Sequence, residues 1–574
     1  MWWSCFRPIF NRKPIFNSVV NRPVRIQKLV IRAFNLEAQI NTDCNNLPRS
    51  SSDMAQVTLK YSSSLSQSDP NQHPVCIIGQ LQNLQSVSYE EIRMKIETRV
   101  TEETWKAAVN SLHPSPTASC PLWVSNATVA ALPTKCSRHN APSRSHSLTK
   151  IVKSFIMGGD EFFVIICERR DVYASACAVA RAFPLYTRKN GGALTKRTVR
   201  VEFLLVGAER TPLADDELGL LHDAAHGIRL AAKIVDMPCS EMNTDAFLEE
   251  VKLVGTILGI TPKIIRGKEL DDQGFGGLFS VGKAAVHPPA LAILSHTPEG
   301  ASKTVAWVGK GIVYDTGGLC IKGKTAMPGM KRDCGGAAGI LGAFYTAVRQ
   351  GFNENLHALF CLAENAVGPE ATRPDDIIRL YSGRTVEVDN TDAEGRLVLG
   401  DGVAYAYKDL KADIILDMAT LTGAQGIATG KVHAAMLTNN EDWEPMCVRA
   451  GLNSGDLIHP MPYTPEIHFN EFASAVADMK NSVADRSNAQ VSCAGLFIGA
   501  HIGFDYPGTW IHVDMAYPVH VGERATGYGV ALLTTLFGQM TTNPLLRAIA
   551  PLQENGLAMN SNENASASKK IRLQ

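Results

Sequence analysis

Carboxylates and lysines gather in glycine-rich segments that follow predicted strands of the chain. Lys310 and Asp315 come after an apolar strand, Asp333 precedes a predicted helix, and Asp392 and Glu394 lie two residues apart in a predicted turn. Acids in apolar or glycine-rich surroundings need partners, because burial of an unpaired charge is costly. Divalent cations could neutralise them, and two cations about 3.5–4 Å apart can share carboxylates and activate a water. Helix caps and ion pairs would explain the same acids equally well from spacing alone.

Other catalytic patterns are missing from the sequence. There is no HExxH motif and no cluster of His and Cys, so a His-based zinc site has no support. There is no GxSxG motif, which removes the simplest serine hydrolase. Residues 318–325 match the P-loop pattern of nucleotide-binding proteins. A true P-loop is followed directly by a helix, whereas Met327-Pro328-Gly329 would break a helix here.

Alternating apolar strands and helices predict the scaffold that must position these residues. Strands are predicted at 290–294, 304–308, 357–362, 413–418 and 510–514, and helices near 215–235, 244–258, 336–349 and 395–408. This alternation predicts an α/β protein with a sheet covered by helices on both faces. Ligands of such sheets bind beyond the carboxyl ends of the strands, where the acids lie.

Composition changes along the chain predict five segments. We expect a smaller N-terminal α/β domain and a larger catalytic domain whose mixed, mostly parallel central sheet is flanked by helices. The segments are a basic extension at 1–53, a polar linker at 54–74, the N-terminal domain at 75–210, the catalytic domain at 211–552 and a polar, disordered tail at 553–574.

The basic extension leaves the location of the protein open. Residues 1–36 contain seven Lys or Arg and no acid, which is typical of a mitochondrial transit peptide. They are poor in Ser and not cleanly amphipathic, and translation could start at Met54 instead. We therefore expect a cytoplasmic protein, with the mitochondrion as the alternative.

Charge and cysteine content indicate which kinds of binding partner and which redox environment the protein has. The 574 residues include 56 Lys or Arg and 56 Asp or Glu, so nothing in the net charge favours nucleic acid or a membrane surface. No apolar run approaches the roughly 18 residues of a membrane helix. The 13 cysteines are scattered without a CxxC pair, which indicates reduced thiols inside a cell.

Residues 390–396, Asn-Thr-Asp-Ala-Glu-Gly-Arg, resemble the signature of the leucyl aminopeptidase family of two-metal exopeptidases. Segments 308–318, 330–338 and 417–424 resemble further blocks of that family, and the resemblance covers roughly 217–537. The N-terminal region is most similar to a metazoan branch known only as probable aminopeptidases. Gly400 departs from the family, which frequently has Ala at this position.

The resemblance implies a centre of two divalent cations, Zn²⁺ or Mn²⁺ or Mg²⁺. Lys310, Asp315, Asp333 and Glu394 would hold the tighter metal, with Asp315 and Glu394 bridging to the second. Asp392 would complete the second, more exchangeable site. The lysine would have to be neutral to act as a ligand.

The resemblance also implies the roles of the remaining site residues. Lys322 would polarise the scissile carbonyl, and Arg396 would hold a bicarbonate acting as general base toward the bridging water. Leu421 would lie near the bicarbonate. The pocket for the first side chain would be lined by Met327, Asn390, Thr420, Gly423 and Ala494.

Together these features predict removal of N-terminal residues from peptides with a free N-terminus. The resemblance to the family further implies a homohexamer. A Cys-Gly-type dipeptidase is an alternative within the family. A non-catalytic oligomeric scaffold or regulator is a second alternative, because relatives can lose activity and keep a fold.

Overall fold

The computed structural model describes residues 57–189 and 196–552 of the chain. The predicted basic extension at 1–53 and the predicted tail at 553–574 lie outside the described residues. No helix in the described ranges is both long and apolar enough to cross a bilayer.

The N-terminal part is built on a six-stranded sheet. The strands are β1 (Val57–Ser62), β2 (Val75–Gln80), β3 (Ala118–Trp123), β4 (Ala127–Leu132), β5 (Glu161–Cys167) and β6 (Arg197–Leu205), in the order β1-β6-β5-β2-β4-β3. Every neighbouring pair is parallel except β3 and β4. Helices cover both faces, because successive residues such as Cys76 and Ile77 belong to different buried clusters. The helices are α1 (Leu81–Ser86), α2 (Tyr89–Ile96), α3 (Glu102–Asn110), α4 (Ser145–Phe155) and α5 (Val172–Ala180), with a 3₁₀ turn at Arg169–Asp171.

The prediction of a polar linker at 54–74 is wrong for its first part. Strand β1 is a sheet edge that pairs in parallel with β6, and it buries Leu59 and Tyr61 while the alternating residues Thr58 and Lys60 face outward. The strand shows only two alternating apolar residues beside a Ser-rich segment. This pattern is too short to predict a strand, because the strand is stabilised by its pairing with β6.

The second sheet has eight strands in the order β15-β14-β17-β13-β9-β10-β8-β7. Its central strands β17, β13, β9 and β10 are parallel, and antiparallel pairs flank them. This confirms the predicted mixed, mostly parallel sheet. The strands are β7 (Lys263–Arg266), β8 (Ala290–His296), β9 (Thr304–Asp315), β10 (Asn355–Asn365), β13 (Ile414–Ala419), β14 (Ala434–Thr438), β15 (Ile458–Pro460) and β17 (Thr509–Asp514).

Helices cover both faces of this sheet as well. The first group is α6 (Asp215–Asp236), α7 (Thr244–Leu258), α10 (Gly335–Arg349), α13 (Trp443–Ser454), α16 (Val530–Leu536) and α17 (Pro544–Ile549). The second group is α8 (Lys268–Asp272), α9 (Gly276–Gly282), α11 (Gly395–Lys408) and α15 (Gln490–Ala500). Gly309 of β9 permits close packing, because a Cβ there would lie 2.5 Å from the Cα of Ala337 in α10.

Short elements complete the fold around the ends of the central strands. They are α12 (Gly423–Ala428), α14 (Pro465–His468), the strands β11 (Ile377–Arg379), β12 (Thr385–Glu387), β16 (Met479–Lys480), β18 (His520–Val521) and β19 (Arg524–Ala525), and 3₁₀ turns at Met330–Arg332, Phe469–Phe472 and Gly538–Met540. One buried cluster contains residues of both large sheets, from Leu59 to Ile549. The boundary predicted at 210 falls between the two sheets, and independent folding of the two parts stays a prediction.

Candidate active site

The carboxyl ends of the central strands carry the predicted site residues. Strand β9 is longer than predicted and includes both Lys310 and Asp315. Residues five apart on a regular strand face opposite sides of the sheet. The register between β9 and β10 shifts by one residue between Ile312 and Asp315, and this irregularity turns both side chains toward the same site.

Lys310 lies at the centre of a buried charge cluster. Its Nζ is 2.7 Å from Asp333 Oδ2 and 2.9 Å from Glu394 Oε1, and it donates to the carbonyl oxygen of Thr420 at 3.1 Å. The lysine side chain is only 3% exposed, so its charge is balanced by these protein groups and not by solvent. Asp333 also accepts a hydrogen bond from the Thr420 hydroxyl at 2.8 Å. Residues that are 23, 84 and 110 positions away from Lys310 in the chain thus converge on one amine.

A second group of carboxylates lies beside this cluster. Asp315, Asp392 and Glu394 each offer an oxygen, and these oxygens lie within 4.8 Å of one another. The Nζ of Lys322 is 2.8 Å from Asp315 Oδ2 and also forms an ion pair with Asp392. Asp315 is fixed further by the side-chain amide of Asn365, which donates to its Oδ1 at 2.8 Å. The predicted metal ligands therefore surround one small volume.

Burial dominates the electrostatics of the acids. Burial and then the charge of Asp315 raise the pKa of Glu394 above its ordinary range. Burial likewise raises the pKa of Asp333 and of Asp392. Burial opposes the charge of Lys310, but the carboxylates of Asp333 and Glu394 outweigh it and raise the lysine pKa. Four acids with two lysines are thus an incompletely neutralised cluster, which a divalent cation would stabilise.

The donor set fits such cations. Glu394 Oε2 is buried and accepts no hydrogen bond from any described residue, which is costly unless another partner is present. Carboxylate oxygens suit Mg²⁺ and Mn²⁺, and an added amine is compatible with Zn²⁺. Lys310, Asp315, Asp333, Asp392 and Glu394 are the residues that could hold the ions.

Arg396 lies behind the carboxylates in an apolar setting. Its guanidinium carbon is 5.9 Å from the ring centre of Phe472 and 6.0 Å from that of Phe497. One amino group donates to the carbonyl oxygen of Asn481 at 2.9 Å, while the buried Nε has no hydrogen-bond partner in the described chain. Burial lowers the Arg396 pKa to about 10, so the group stays cationic at neutral pH. A buried guanidinium with a free donor fits a small anion.

Asn481 holds the signature loop in place. Its side-chain oxygen accepts from the backbone N–H groups of Asp389 and Asn390 at 3.0 and 3.1 Å, and its amide donates to the carbonyl of Asn390 at 2.7 Å. The carbonyl of the same residue binds Arg396. Sequence reasoning gave Asn481 no role, because its partners lie about ninety residues earlier in the chain.

A cavity of about 650 Å³ opens onto these groups. Eleven of the thirteen predicted site residues line it: Lys310, Asp315, Lys322, Asp333, Asn390, Asp392, Glu394, Arg396, Thr420, Leu421 and Gly423. Met327 and Ala494 are not among the residues that line this cavity, although the neighbours Ala326 and Pro328 are, so their assignment to the pocket stays a prediction. Ala494 is fully buried inside α15, and the backbone N–H of Met327 closes a turn onto Gly323.

The cavity wall also contains residues that the sequence did not suggest. They are Met330, Ile321, Arg332, Arg486, Val519 and His520. Met330 belongs to the same sequence block as Asp333, so its position in that block was a usable signal. Arg486 comes from a distant loop and His520 from the distant strand β18, and nothing in their local sequence marks them.

The structure explains the departure at Gly400. A Cβ at this position in α11 would lie 2.8 Å from His501 Cδ2 and 2.8 Å from Leu380 Cδ2. The imidazole of His501 is buried and is 2.7 Å from the hydroxyl of Ser382, so it has little freedom to move. An alanine at this position would therefore have to displace His501 or Leu380, so the local packing favours glycine.

The fold is thus of the α/β class, and it carries a cluster of carboxylates that could hold metal ions at the carboxyl ends of parallel strands. Residues 229–534 match the catalytic domain of the cytosol aminopeptidase family (peptidase family M17), and residues 73–192 match the M17 aminopeptidase N-terminal domain 2. The chain belongs to this family and is an aminopeptidase, which confirms the resemblance seen in the signature residues. The family is metal-dependent and acts on peptides.

Individual relatives agree with this assignment. The chain is 63% identical over 502 residues to "Probable aminopeptidase NPEPL1" of Homo sapiens, covering 87% of this chain and 96% of the relative. It is 42% identical over 479 residues to "Leucine aminopeptidase 1" of Caenorhabditis elegans, covering 82% and 96%. Among solved structures, the leucine aminopeptidase of Caenorhabditis elegans superposes with a TM-score of 0.80 at 40% identity, covering 86% of this chain and all of that one.

Proposed function

We propose that the chain removes N-terminal residues from peptides with the help of two divalent cations. Lys310, Asp315, Asp333 and Glu394 would hold one ion, and Asp315, Asp392 and Glu394 the other. The observation that carries this proposal is the convergence of three buried carboxylates and the half-buried Asp392 around Lys310 and Lys322, with too few partners inside the protein. When bound, such ions supply Lewis acidity that activates a water and binds the peptide's free α-amine.

Lys310 would take part as a neutral amine. The carboxylates around it raise its pKa, whereas nearby divalent charge opposes this shift and favours loss of the proton. Its fixed position, 2.7–2.9 Å from Asp333 and Glu394, leaves it no other partner of comparable strength. The ligand set supports Zn²⁺, Mn²⁺ or Mg²⁺.

Lys322 is placed to stabilise the developing oxyanion. Its ammonium group lies on the cavity wall against Asp315 and Asp392, and its side chain is 14% exposed. When these two acids are shared with cations, the ammonium can turn toward the carbonyl oxygen of the bound peptide. A fixed positive charge at that oxygen favours the transition state over the ground state.

Arg396 would hold a bicarbonate ion that accepts the proton of the attacking water. Its unpartnered Nε and buried positive charge support an anion at this position. Leu421 lines the same cavity and would lie next to the anion. The pocket for the first side chain would be formed by Met330, Asn390, Thr420 and Gly423, an arrangement that favours apolar residues.

We also propose a homohexamer in the cytoplasm, with mitochondrial import as the alternative if residues 1–36 act as a transit peptide. Sedimentation of the purified chain tests the first proposal. The location of a C-terminal fluorescent fusion, with and without residues 1–53, tests the second.

The decisive experiment combines metal analysis with a peptide substrate panel. The wild type with added Mn²⁺ or Zn²⁺ should hydrolyse Leu-peptides, and the Asp392→Ala, Glu394→Ala double variant should lose at least about a thousandfold in kcat/KM, equivalent to about 4 kcal/mol. The matched control removes two exposed acids of α8, Asp271 and Asp272, whose partner is Lys268. A wild type as inert as the site variant would favour the scaffold over the enzyme. Faster turnover of Cys-Gly than of Leu-peptides would favour the dipeptidase.

A further inference from the structure

The wall of the cavity carries more positive than negative side chains. Its only acids within the described chain are the four carboxylates assigned above to the metal ions. Its cations are Lys310, Lys322, Arg332, Arg396 and Arg486. Divalent ions bound to the acids would make the cavity more positive still, so the remaining arginines face a site with no acid left to pair with them.

Arg332 reaches the wall from the 3₁₀ turn that precedes α10. Among residues 57–189 and 196–552, its guanidinium has no ion-pair partner within 4.0 Å and makes no hydrogen bond. The turn begins after Gly329, which has a φ of 100° and would place a Cβ 2.9 Å from the Arg332 guanidinium. The glycine therefore lets the arginine lie across the turn, beside His520 on the same wall.

Arg486 reaches the wall from the loop that follows Asn481. Glu471 braces this loop, because its carboxylate accepts from the backbone N–H of Asp485 at 3.0 Å and from the amide of Asn488 at 2.9 Å. The acid next to the arginine, Asp485, is itself occupied by the N–H and hydroxyl of Ser487 at 2.8 and 2.7 Å. The acids of the loop are thus engaged locally, and Arg486 has no ion-pair partner in the described chain.

We propose that Arg332 and Arg486 bind a carboxylate of the peptide substrate, so that the enzyme prefers anionic peptides. A guanidinium is shaped to bind a carboxylate through two parallel hydrogen bonds, whereas an uncharged peptide end gives it no comparable partner. A cavity of about 650 Å³ can enclose a short peptide, which brings its second charged group close to the wall. This preference rests on the proposed aminopeptidase function. The carboxylate could be the C-terminus of a short peptide or an acidic side chain.

The test compares substrates that differ only in charge. The metal-loaded wild type should cleave Leu-Gly roughly tenfold faster in kcat/KM than Leu-Gly-amide, since a charge-assisted hydrogen bond is worth about this factor. The pair Leu-Glu-amide and Leu-Gln-amide measures the contribution of an acidic side chain in the same way. Both ratios should fall as salt rises from 20 to 500 mM, because partly exposed charges are screened.

The variants Arg332→Gln and Arg486→Gln, singly and together, locate the effect. The double variant should bring the ratio of Leu-Gly to Leu-Gly-amide near one, and Arg170→Gln, which alters an arginine 70% exposed and paired with Glu168, should leave it unchanged. A ratio near one in the wild type, or an unchanged ratio in the double variant, would overturn the preference. If the double variant does not fold, the salt dependence of the wild type decides. Failure to cleave any of the four peptides would instead refute the proposed function.

Discussion

Replacement of Gly395 by alanine tests whether the position of Lys310 controls the metal centre. Gly395 is the first residue of α11, and a Cβ there would lie 2.5 Å from Lys310 Cε and 2.7 Å from its Nζ. Carbon atoms pack best at about 3.5–4.0 Å, so the lysine would have to move by about 1 Å. Its contacts of 2.7 Å to Asp333 and 2.9 Å to Glu394 cannot survive such a shift in this buried setting.

Opposing energies decide the sign of the effect on stability. Alanine in place of glycine favours a helix by at most about 1 kcal/mol. Overpacking a buried site costs about 1–3 kcal/mol, and disturbing a buried ion pair costs up to about 3–5 kcal/mol. We therefore expect Gly395→Ala to lower the free energy of unfolding by about 2 kcal/mol or more. A ligand displaced by about 1 Å should lower kcat/KM by roughly a hundredfold.

Urea unfolding, metal titration and peptide hydrolysis measure the three effects. The matched control is Gly219→Ala in α6, where no atom lies within 4 Å of the added Cβ. This control should raise the free energy of unfolding by about 0.5–1 kcal/mol and leave hydrolysis intact. If the Gly395 variant is stabilised like the control and binds metal with wild-type affinity, the packing argument is wrong.

Three further substitutions test buried groups around the site. Burial lowers the pKa of His501 to about 3 from 6.5, so the folded state binds fewer protons and the free energy of unfolding should fall as pH drops below 6.5. The free energy of unfolding should change by up to about 1.4 kcal/mol per pH unit, and His501→Asn should reduce this dependence between pH 7 and 5, as measured by urea titrations. An equal pH dependence of the wild type and the variant would contradict this. Asp417→Ala should cost about 3–5 kcal/mol, because it leaves the buried His512, 2.6 Å from Asp417, without its partner; a loss below 1 kcal/mol in denaturant unfolding would count against this pairing. Asn481→Ala should lower kcat/KM by about 10–100-fold, because it frees the signature loop behind the metal ligands, and wild-type kinetics would show that the loop holds itself.

The local sequence predicted the fold class and most of the site. The period of apolar residues predicted the central strands and the helices α6, α7, α10 and α11, because that period reflects which face each element buries. The segment 390–396 carries four polar site residues, Asn390, Asp392, Glu394 and Arg396, together with Gly395, so contiguity alone placed them together. The edge strand β1 was missed because its pattern becomes a strand only beside β6.

What the sequence determined by itself is the set of side chains in the site: two lysines, four acids and an arginine, in segments that lie at one edge of a sheet. Only the tertiary structure decided how they combine. It brought Lys310 next to Asp333 and Glu394 on an irregular β9, and it added Met330 and Arg486 to the cavity wall. Spacing along the chain fixes which residues share an element, whereas the direction of a side chain depends on strand register and packing against residues far away in sequence.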